Sequence, residues 1–332
     1  MDEIWRIPEE RLHGGEIPGY VGAVRINGET HVRAAGAMAF GGPPMRPDSR
    51  FRIASVTKPI GGALTLLAIE DGTITLDDEV EHYVPELPGD ATVRHLLTFT
   101  SGWGVTMTQT PASQKMLELD IHPGPLTPQM TGDEFVRRLA QVPRPFAPGE
   151  GWLYDTSMDV LAVLLARATG QRVSALLEER IFAPLGMTDT AYFATDRMTT
   201  AYMNGEVLDP PDGTHATPPL FEELASGLVS TAEDVLRFYT AVAELVDTEA
   251  MTRDQLTPRQ REAAEPFLGA TTSWGYATGV DDSGRWGWDG GTGTTARVDP
   301  ANDTVAVLLT QRAMTSPKDG FDDFHDAVRA AA

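Results

Sequence analysis

Strand-like runs fall at the two ends of this 332-residue chain, and the long middle is rich in helices and loops. Near the N-terminus, Tyr20-Val21-Gly22-Ala23-Val24-Arg25-Ile26 is separated by Asn27-Gly28 from a second run, Glu29 to Phe40. Asn-Gly between two such runs signals a tight hairpin, because both central residues take positive φ. Near the C-terminus come Ser273 to Val280, the turn Asp281-Asp282-Ser283-Gly284, then Arg285 to Gly290, Thr294 to Val298 and Thr304 to Gln311. A pattern divided in this way predicts an α/β (α+β) fold with one sheet assembled from both termini and flanked by helices. Residues 1–75 and 222–332 are expected to form that sheet domain, and 76–221 a mostly helical insertion. A cleft between the two lobes is then the default place for a site.

Helices are expected at Glu3 to Leu12, Ser55 to Asp71, Asp133 to Ala140, Met158 to Ala168, Thr231 to Leu245 and Phe321 to Ala331. Their apolar residues recur at helical spacing, for example Ile60, Ala63, Leu64, Leu67 and Ala68, and Gly72 closes that run. Ser230 or Thr231 supplies an N-cap to the fifth. Pro- and Gly-rich stretches such as Pro123-Gly124-Pro125 and Asp209-Pro210-Pro211-Asp212-Gly213 read as loops.

Composition removes several function classes. The formal charge of −22 repels phosphate backbones and makes a nucleic-acid partner improbable. No single run carries the excess, so it reads as a solvated acidic surface, for which salt adaptation is one explanation. No window approaches the roughly 18 apolar residues of a membrane span. The opening Met1-Asp2-Glu3-Ile4-Trp5 lacks a basic n-region and apolar stretch, so a cytoplasmic location is expected. With Cys 0, disulfides, thiol nucleophiles and cysteine-ligated metals are excluded. The 7 histidines are scattered without a ligand pair at helical spacing, and each reads as structural or surface.

The sequence lacks a Gly-x-Ser-x-Gly elbow, a His-Glu-x-x-His pair and a phosphate-binding Gly-x-x-x-x-Gly-Lys loop. Gly291-Thr292-Gly293-Thr294-Thr295-Ala296 matches a dinucleotide pattern but leads into a strand, so it is set aside. Three signals survive. Ser55-Val56-Thr57-Lys58 places a hydroxyl and an amine on one helical face, and only three lysines occur in the chain, Lys58, Lys115 and Lys318. Serine is a weak nucleophile until a base takes its proton, and a lysine whose pKa is lowered by burial can do so; Lys58 is therefore expected to be neutral in the working enzyme. Read alone, the pair is equally compatible with a surface helix. The second signal, Phe146-Ala147-Pro148-Gly149-Glu150-Gly151-Trp152-Leu153-Tyr154, is a Pro-Gly turn leading into an aromatic pair, in which Tyr154 alone reads as core. The third, Trp286-Gly287-Trp288-Asp289-Gly290-Gly291, is a glycine-rich strand whose amides suit an oxyanion, or else a bulge.

Together these segments resemble the serine β-lactamase and penicillin-recognising superfamily, most closely its family VIII carboxylesterases. Arg52-Ile53-Ala54-Ser55-Val56-Thr57-Lys58-Pro59 resembles the nucleophile segment. Val93-Arg94-His95-Leu96-Leu97-Thr98-Phe99-Thr100-Ser101-Gly102 is similar to the next hallmark, with Phe99 where a histidine is frequent. Pro148-Gly149-x-x-Trp152-x-Tyr154 resembles the tyrosine segment, and Ser226 to Asp234 a later helix start. The likeness runs from about Ile17 to Arg312.

The resemblance implies a two-lobed β-lactamase-like fold and a cofactor-independent serine esterase acting on small-molecule esters through an acyl-enzyme. Ser55 would be the nucleophile, Lys58 its activator and Tyr154 the proton relay; the amides of Ser55 and Gly291 would form the oxyanion hole. Trp288, Asp289, Gly290, Trp103 and Thr156 are the expected substrate contacts. Two departures bear on substrate: Thr156 replaces the asparagine of Tyr-x-Asn, and Trp288 replaces the Lys or His of the oxyanion strand. An indole offers an apolar face and one N–H, not a positive charge. A β-lactamase, D-alanyl peptidase or acyltransferase of the same superfamily, or a silent ligand-binding relative, remain alternatives. The oligomeric state is left open.

Overall fold

The computed structural model describes residues 2–124, 126–315 and 319–332. Met1, Pro125 and 316–318 lie outside the described residues, and with them Lys318 and the end of the Pro123-Gly124-Pro125 loop. The chain ends meet in a seven-stranded sheet. Its spatial order is Glu29–Gly36, Gly19–Ile26, Thr304–Leu309, Thr294–Asp299, Trp286–Gly290, Gly279–Asp281 and Thr272–Trp274. Every neighbouring pair is antiparallel. The first hairpin turns at Asn27 (φ 51°) and Gly28 (φ 81°), the geometry its sequence predicts.

Gly19–Ile26 and Thr304–Leu309 are buried on both faces, with a period of two. Tyr20, Val24, Ile26, Ala306 and Leu308 face a small core formed with Ile4 and Trp5 of the helix Asp2–His13 and Phe324 and Val328 of Asp322–Ala331. Val21, Ala23, Val305, Val307 and Leu309 face the main core, which continues without a break through the helical lobe. Two helices run through that core. Thr57–Glu70 is buried from Thr57 through Thr65 and packs against Ser157–Thr169, itself buried from Ser157 through Leu165. Thr231 caps the helix Ala232–Ala241 by accepting from the Asp234 N–H.

Three local expectations are corrected. Ser273 to Val280 is not one strand. Gly275 N–H donates to Thr278 O at 2.9 Å, Ala277 takes φ 57°, and the run folds into a hairpin. That turn is held from the other lobe, since Ala277 N–H and Trp274 Nε1–H both donate to Leu97 O. The nucleophile helix starts at Thr57, and Ser55 sits in a preceding 3₁₀ turn, Ala54–Val56. Within the segment expected to be helical, Ala201–Met203 pairs with Glu206–Asp209 through Asn204 (φ 54°) and Gly205 (φ 83°).

That small hairpin anchors the nucleophile segment. Phe51–Arg52 pairs with Val229–Ser230, and the buried Arg52 guanidinium donates to Asp209 Oδ2 (2.5 Å), Thr199 O (2.6 Å) and Pro210 O (2.6 Å). Burial alone would raise the Asp209 carboxyl, but His215, with Nδ1 3.5 Å from Oδ2, and the Arg52 charge hold it well below the ordinary range. The stabilisation is therefore complete above the usual carboxylate pKa and is lost as pH falls through the depressed one. Asp209→Ala leaves the guanidinium buried and unpaired and should cost about 3–5 kcal/mol. Urea unfolding measures it, and a loss below about 1 kcal/mol, the value of a surface pair, contradicts the anchoring role.

Candidate active site

Ser55 opens onto a cleft of about 640 Å³, together with Tyr154, Trp288, Asp289 and Gly291. Its 3₁₀ turn keeps residues three apart on one side, so Lys58 Nζ reaches Ser55 Oγ at 2.7 Å. The Lys58 side chain is fully buried, and its other hydrogens go to Ala225 O (2.7 Å) and to Asp155 Oδ1. Nζ also lies 4.7 Å from the centre of the Tyr154 ring.

The surroundings of Lys58 favour its charged form. Burial pulls its pKa down, but Asp155, Tyr154 and Glu223 outweigh burial and hold it above the ordinary lysine value. Donation to three acceptors fits an ammonium, whose three N–H groups are all used. That environment runs against the neutral lysine expected from the sequence, chiefly through Asp155, which sequence reasoning did not single out.

Tyr154 is positioned by backbone and ring contacts alike. Its N–H and C=O exchange hydrogen bonds with Val105, each 3.0 Å, and its ring stacks on Phe267 with centroids 4.2 Å apart. Phe99 meets the ring edge-on at 5.7 Å, filling the position where the resemblance places a histidine. Trp288 Nε1–H donates to the Tyr154 hydroxyl at 2.6 Å. Burial raises the Tyr154 pKa; the Lys58 charge and the hydrogen bond from Trp288 oppose that rise without cancelling it.

The turn that holds Gly291 is clamped onto the segment before Ser55. Thr292 Oγ1 donates to Arg52 O at 2.5 Å and Thr294 Oγ1 to Ile53 O at 2.9 Å. Gly291 faces open space, whereas a Cβ on Gly290 would meet Thr294 Oγ1 at 2.1 Å and Ile53 O at 2.2 Å. Three residues around the site hold left-handed backbone without being glycine: Ala54 (φ 44°), Phe99 (φ 62°) and Asp155 (φ 85°). Each such conformation costs on the order of 1–3 kcal/mol and persists only where its surroundings impose it.

The expected substrate contacts divide. Trp288 and Asp289 line the cleft; Gly290, Trp103 and Thr156 do not. Gly290 is spent on close packing against Ile53. Trp103 is buried beneath the Arg144 guanidinium, 5.1 Å from its ring, and Thr156 is fully buried at the N-cap of its helix. The Trp288 N–H is occupied by Tyr154, so the indole offers substrate its face alone. Asp289 accepts from Thr295 Oγ1 and pairs with Arg297 at 2.9 Å. Two histidines, His122 and His325, also line the cleft, and His325 is hydrogen-bonded to Thr295 at 2.8 Å. Among the described residues no cluster of His, Cys, Asp and Glu could hold a metal ion.

A buried serine–lysine–tyrosine constellation beside an antiparallel sheet fits a serine-hydrolase class. The chain belongs to the beta-lactamase family, whose description matches residues 6–331. It is 31% identical to the esterase EstB of Burkholderia gladioli, over 92% of this chain and 88% of that protein. It is 30% identical to protein Rv1367c of Mycobacterium tuberculosis, over 81% of this chain and 79% of the relative. Its fold superposes on EstCE1, a hydrolase with promiscuous acyltransferase activity, with a TM-score of 0.82 at 23% identity, over 98% of this chain and 97% of the other.

Gly290→Ala should destabilise the protein by about 1–3 kcal/mol, the usual range for overpacking. Unchanged stability in urea unfolding would mean that the turn can retreat from Ile53 freely, against the clamp described here.

Proposed function

We propose that this protein is a serine esterase that cleaves small neutral carboxylic esters through an acyl-enzyme. The observation that carries this reading is the convergence of Ser55, Tyr154 and Gly291 on one cleft, with the buried Lys58 Nζ 2.7 Å from Ser55 Oγ. Ser55 Oγ attacks the ester carbonyl while its proton passes into the Lys58–Tyr154 pair, and Tyr154 protonates the departing alkoxide. The amides of Ser55 and Gly291 receive the oxyanion, a contribution of the kind that reaches roughly 10²–10³ in kcat. Water then enters, and the same groups return its proton to Ser55 as the acid leaves. The family membership and the likeness to EstB support this choice of reaction.

The neutrality of the substrate follows from the cations around the cleft. Arg297 is paired with Asp289, and Arg285 with Asp281 (2.7 Å) and Asp326 (3.1 Å). Trp288 brings no charge. A substrate carboxylate would thus forgo a charge-assisted hydrogen bond of about 1.5–3 kcal/mol, or roughly 10- to 150-fold in kcat/KM.

The primary test is labelling with a fluorophosphonate, which should modify Ser55 and no other residue by peptide mass mapping. Ser55→Ala should abolish ester hydrolysis and leave the thermal transition in place. A residual tenth of wild-type kcat would be too much for a lost covalent step. Tyr154→Phe and Lys58→Ala should each cost roughly 10²–10⁴-fold in kcat; full activity in Tyr154→Phe would reduce that tyrosine to packing. On one preparation, p-nitrophenyl acetate or butyrate should be turned over with far higher kcat/KM than penicillins or cephalosporins. Equal or greater efficiency on a β-lactam overturns the substrate assignment.

A further inference from the structure

We propose that Asp289, Thr295 and His325 form a hydroxyl-recognition subsite on one wall of the Ser55 cleft, and that the preferred ester carries a free hydroxyl group that binds there. The inference rests on the serine-esterase reading and names the substrate class of that site. Asp289 and Thr295 face each other across two paired strands, and His325 comes from the helix Asp322–Ala331. Asp289 and His325 line the same cleft as Ser55, while Thr295 is buried and bonded to both.

Counting hydrogens fixes the polarity of this wall. The Thr295 hydroxyl has one proton and gives it to Asp289 Oδ1 at 2.6 Å, because a carboxylate only accepts. Thr295 Oγ1 must therefore accept from His325 Nε2, 2.8 Å away, which places a proton on that nitrogen. Burial, then the Arg297 and Arg285 charges, hold the His325 pKa well below its ordinary value, so the ring is neutral. A neutral imidazole protonated on Nε2 has a bare, accepting Nδ1. On the carboxylate, Thr295 and Arg297 (2.9 Å) both engage Oδ1. Among the described residues nothing donates a hydrogen bond to Asp289 Oδ2 or to His325 Nδ1. The wall thus holds two fixed acceptors, one a neutral nitrogen and the other an oxygen whose charge Arg297 balances. An alkyl group packed against them strips away water and returns no hydrogen bond, whereas a hydroxyl donates to one of them. Sites built in this way discriminate strongly against the analogue that lacks the hydroxyl. An ammonium would also donate, but Arg285 and Arg297 line the same cleft and repel a cation.

Matched ester pairs test this on the wild-type enzyme. Glycerol monobutyrate against propyl butyrate places hydroxyls in the alcohol half; ethyl 3-hydroxybutyrate against ethyl butyrate places one in the acyl half. At least one pair should show kcat/KM roughly 10-fold or more higher for the hydroxylated ester, the scale of one hydrogen bond to a charged group. The pair that does so identifies the half that the wall reads. Asp289→Asn offers a donor in place of the free acceptor and should lower that ratio by about the same factor. No preference in either pair overturns the proposal, as does a preference that Asp289→Asn leaves intact. A second readout needs neither turnover nor that variant. In Ser55→Ala with nitrogen-labelled histidine, the His325 signal, identified by its loss in His325→Gln, should be that of a bare Nδ1. It should move with a hydroxylated ester and not with its unhydroxylated partner; a protonated Nδ1, or a signal unmoved by both hydroxylated esters, overturns the proposal. Failure of the esterase reading is separate: it would appear as no hydrolysis of any ester, or as turnover by Ser55→Ala, with the His325 signal still responding as stated.

Discussion

A buried amino group must find partners for its hydrogens, because an unpaired polar or charged group in a protein interior costs energy. Lys58 meets that demand with acceptors from three separate parts of the chain. Ser55 comes from the turn that begins its own helix, Asp155 from the segment after the tyrosine, and Ala225 from a loop that Glu223 holds in place. Much of the site follows from this one requirement. The helices Thr57–Glu70 and Ser157–Thr169 are joined by it across the lobe boundary, and Asp155 keeps a backbone conformation that would otherwise relax. Tyr154, one residue earlier, is thereby set over Nζ with its hydroxyl toward Trp288.

The nucleophile turn is fixed from its other side by hydrogen bonds that carry no chemistry. Arg52 is tied to Asp209 and to two carbonyls, and the carbonyls of Arg52 and Ile53 accept from Thr292 and Thr294. The strained Ala54 lies between these restraints and Ser55. On the proposed function, positioning of this kind would let Ser55, Tyr154 and the Gly291 turn meet a reacting carbonyl without reorganising, which is where an acyl-transfer enzyme gains most. The cost in backbone strain is met by packing in a core that runs through both lobes.

Much of this was legible in the sequence because it is local. The Asn27-Gly28 hairpin, the two-ended sheet, the Ser-x-x-Lys pair and the clustered glycines each depend on spacing within a short window. What stayed hidden depends on partners far along the chain. Ser273 to Val280 alternates like one strand, yet Leu97 captures its middle and folds it back. Asn204-Gly205 carries the same turn signal as Asn27-Gly28, but lies in a segment whose other elements are helical. Trp288 was read as offering an indole N–H to substrate, and only the folded chain brings Tyr154 to it. Asp155 stood beside the tyrosine in plain view, but its meaning depends on a lysine 97 positions away. Trp103 and Thr156 were nominated by proximity to motifs, and three-dimensional packing withdrew them from the cleft.

The account turns on Ser55 becoming acylated within this constellation, and pre-steady-state kinetics reads that event most directly. Rapid mixing with a p-nitrophenyl ester should release a burst of p-nitrophenol equivalent to the enzyme. Quenched samples should carry one acyl group, mapped to the peptide containing Ser55. A linear trace with unmodified protein, or an acyl group on any other residue, would contradict it.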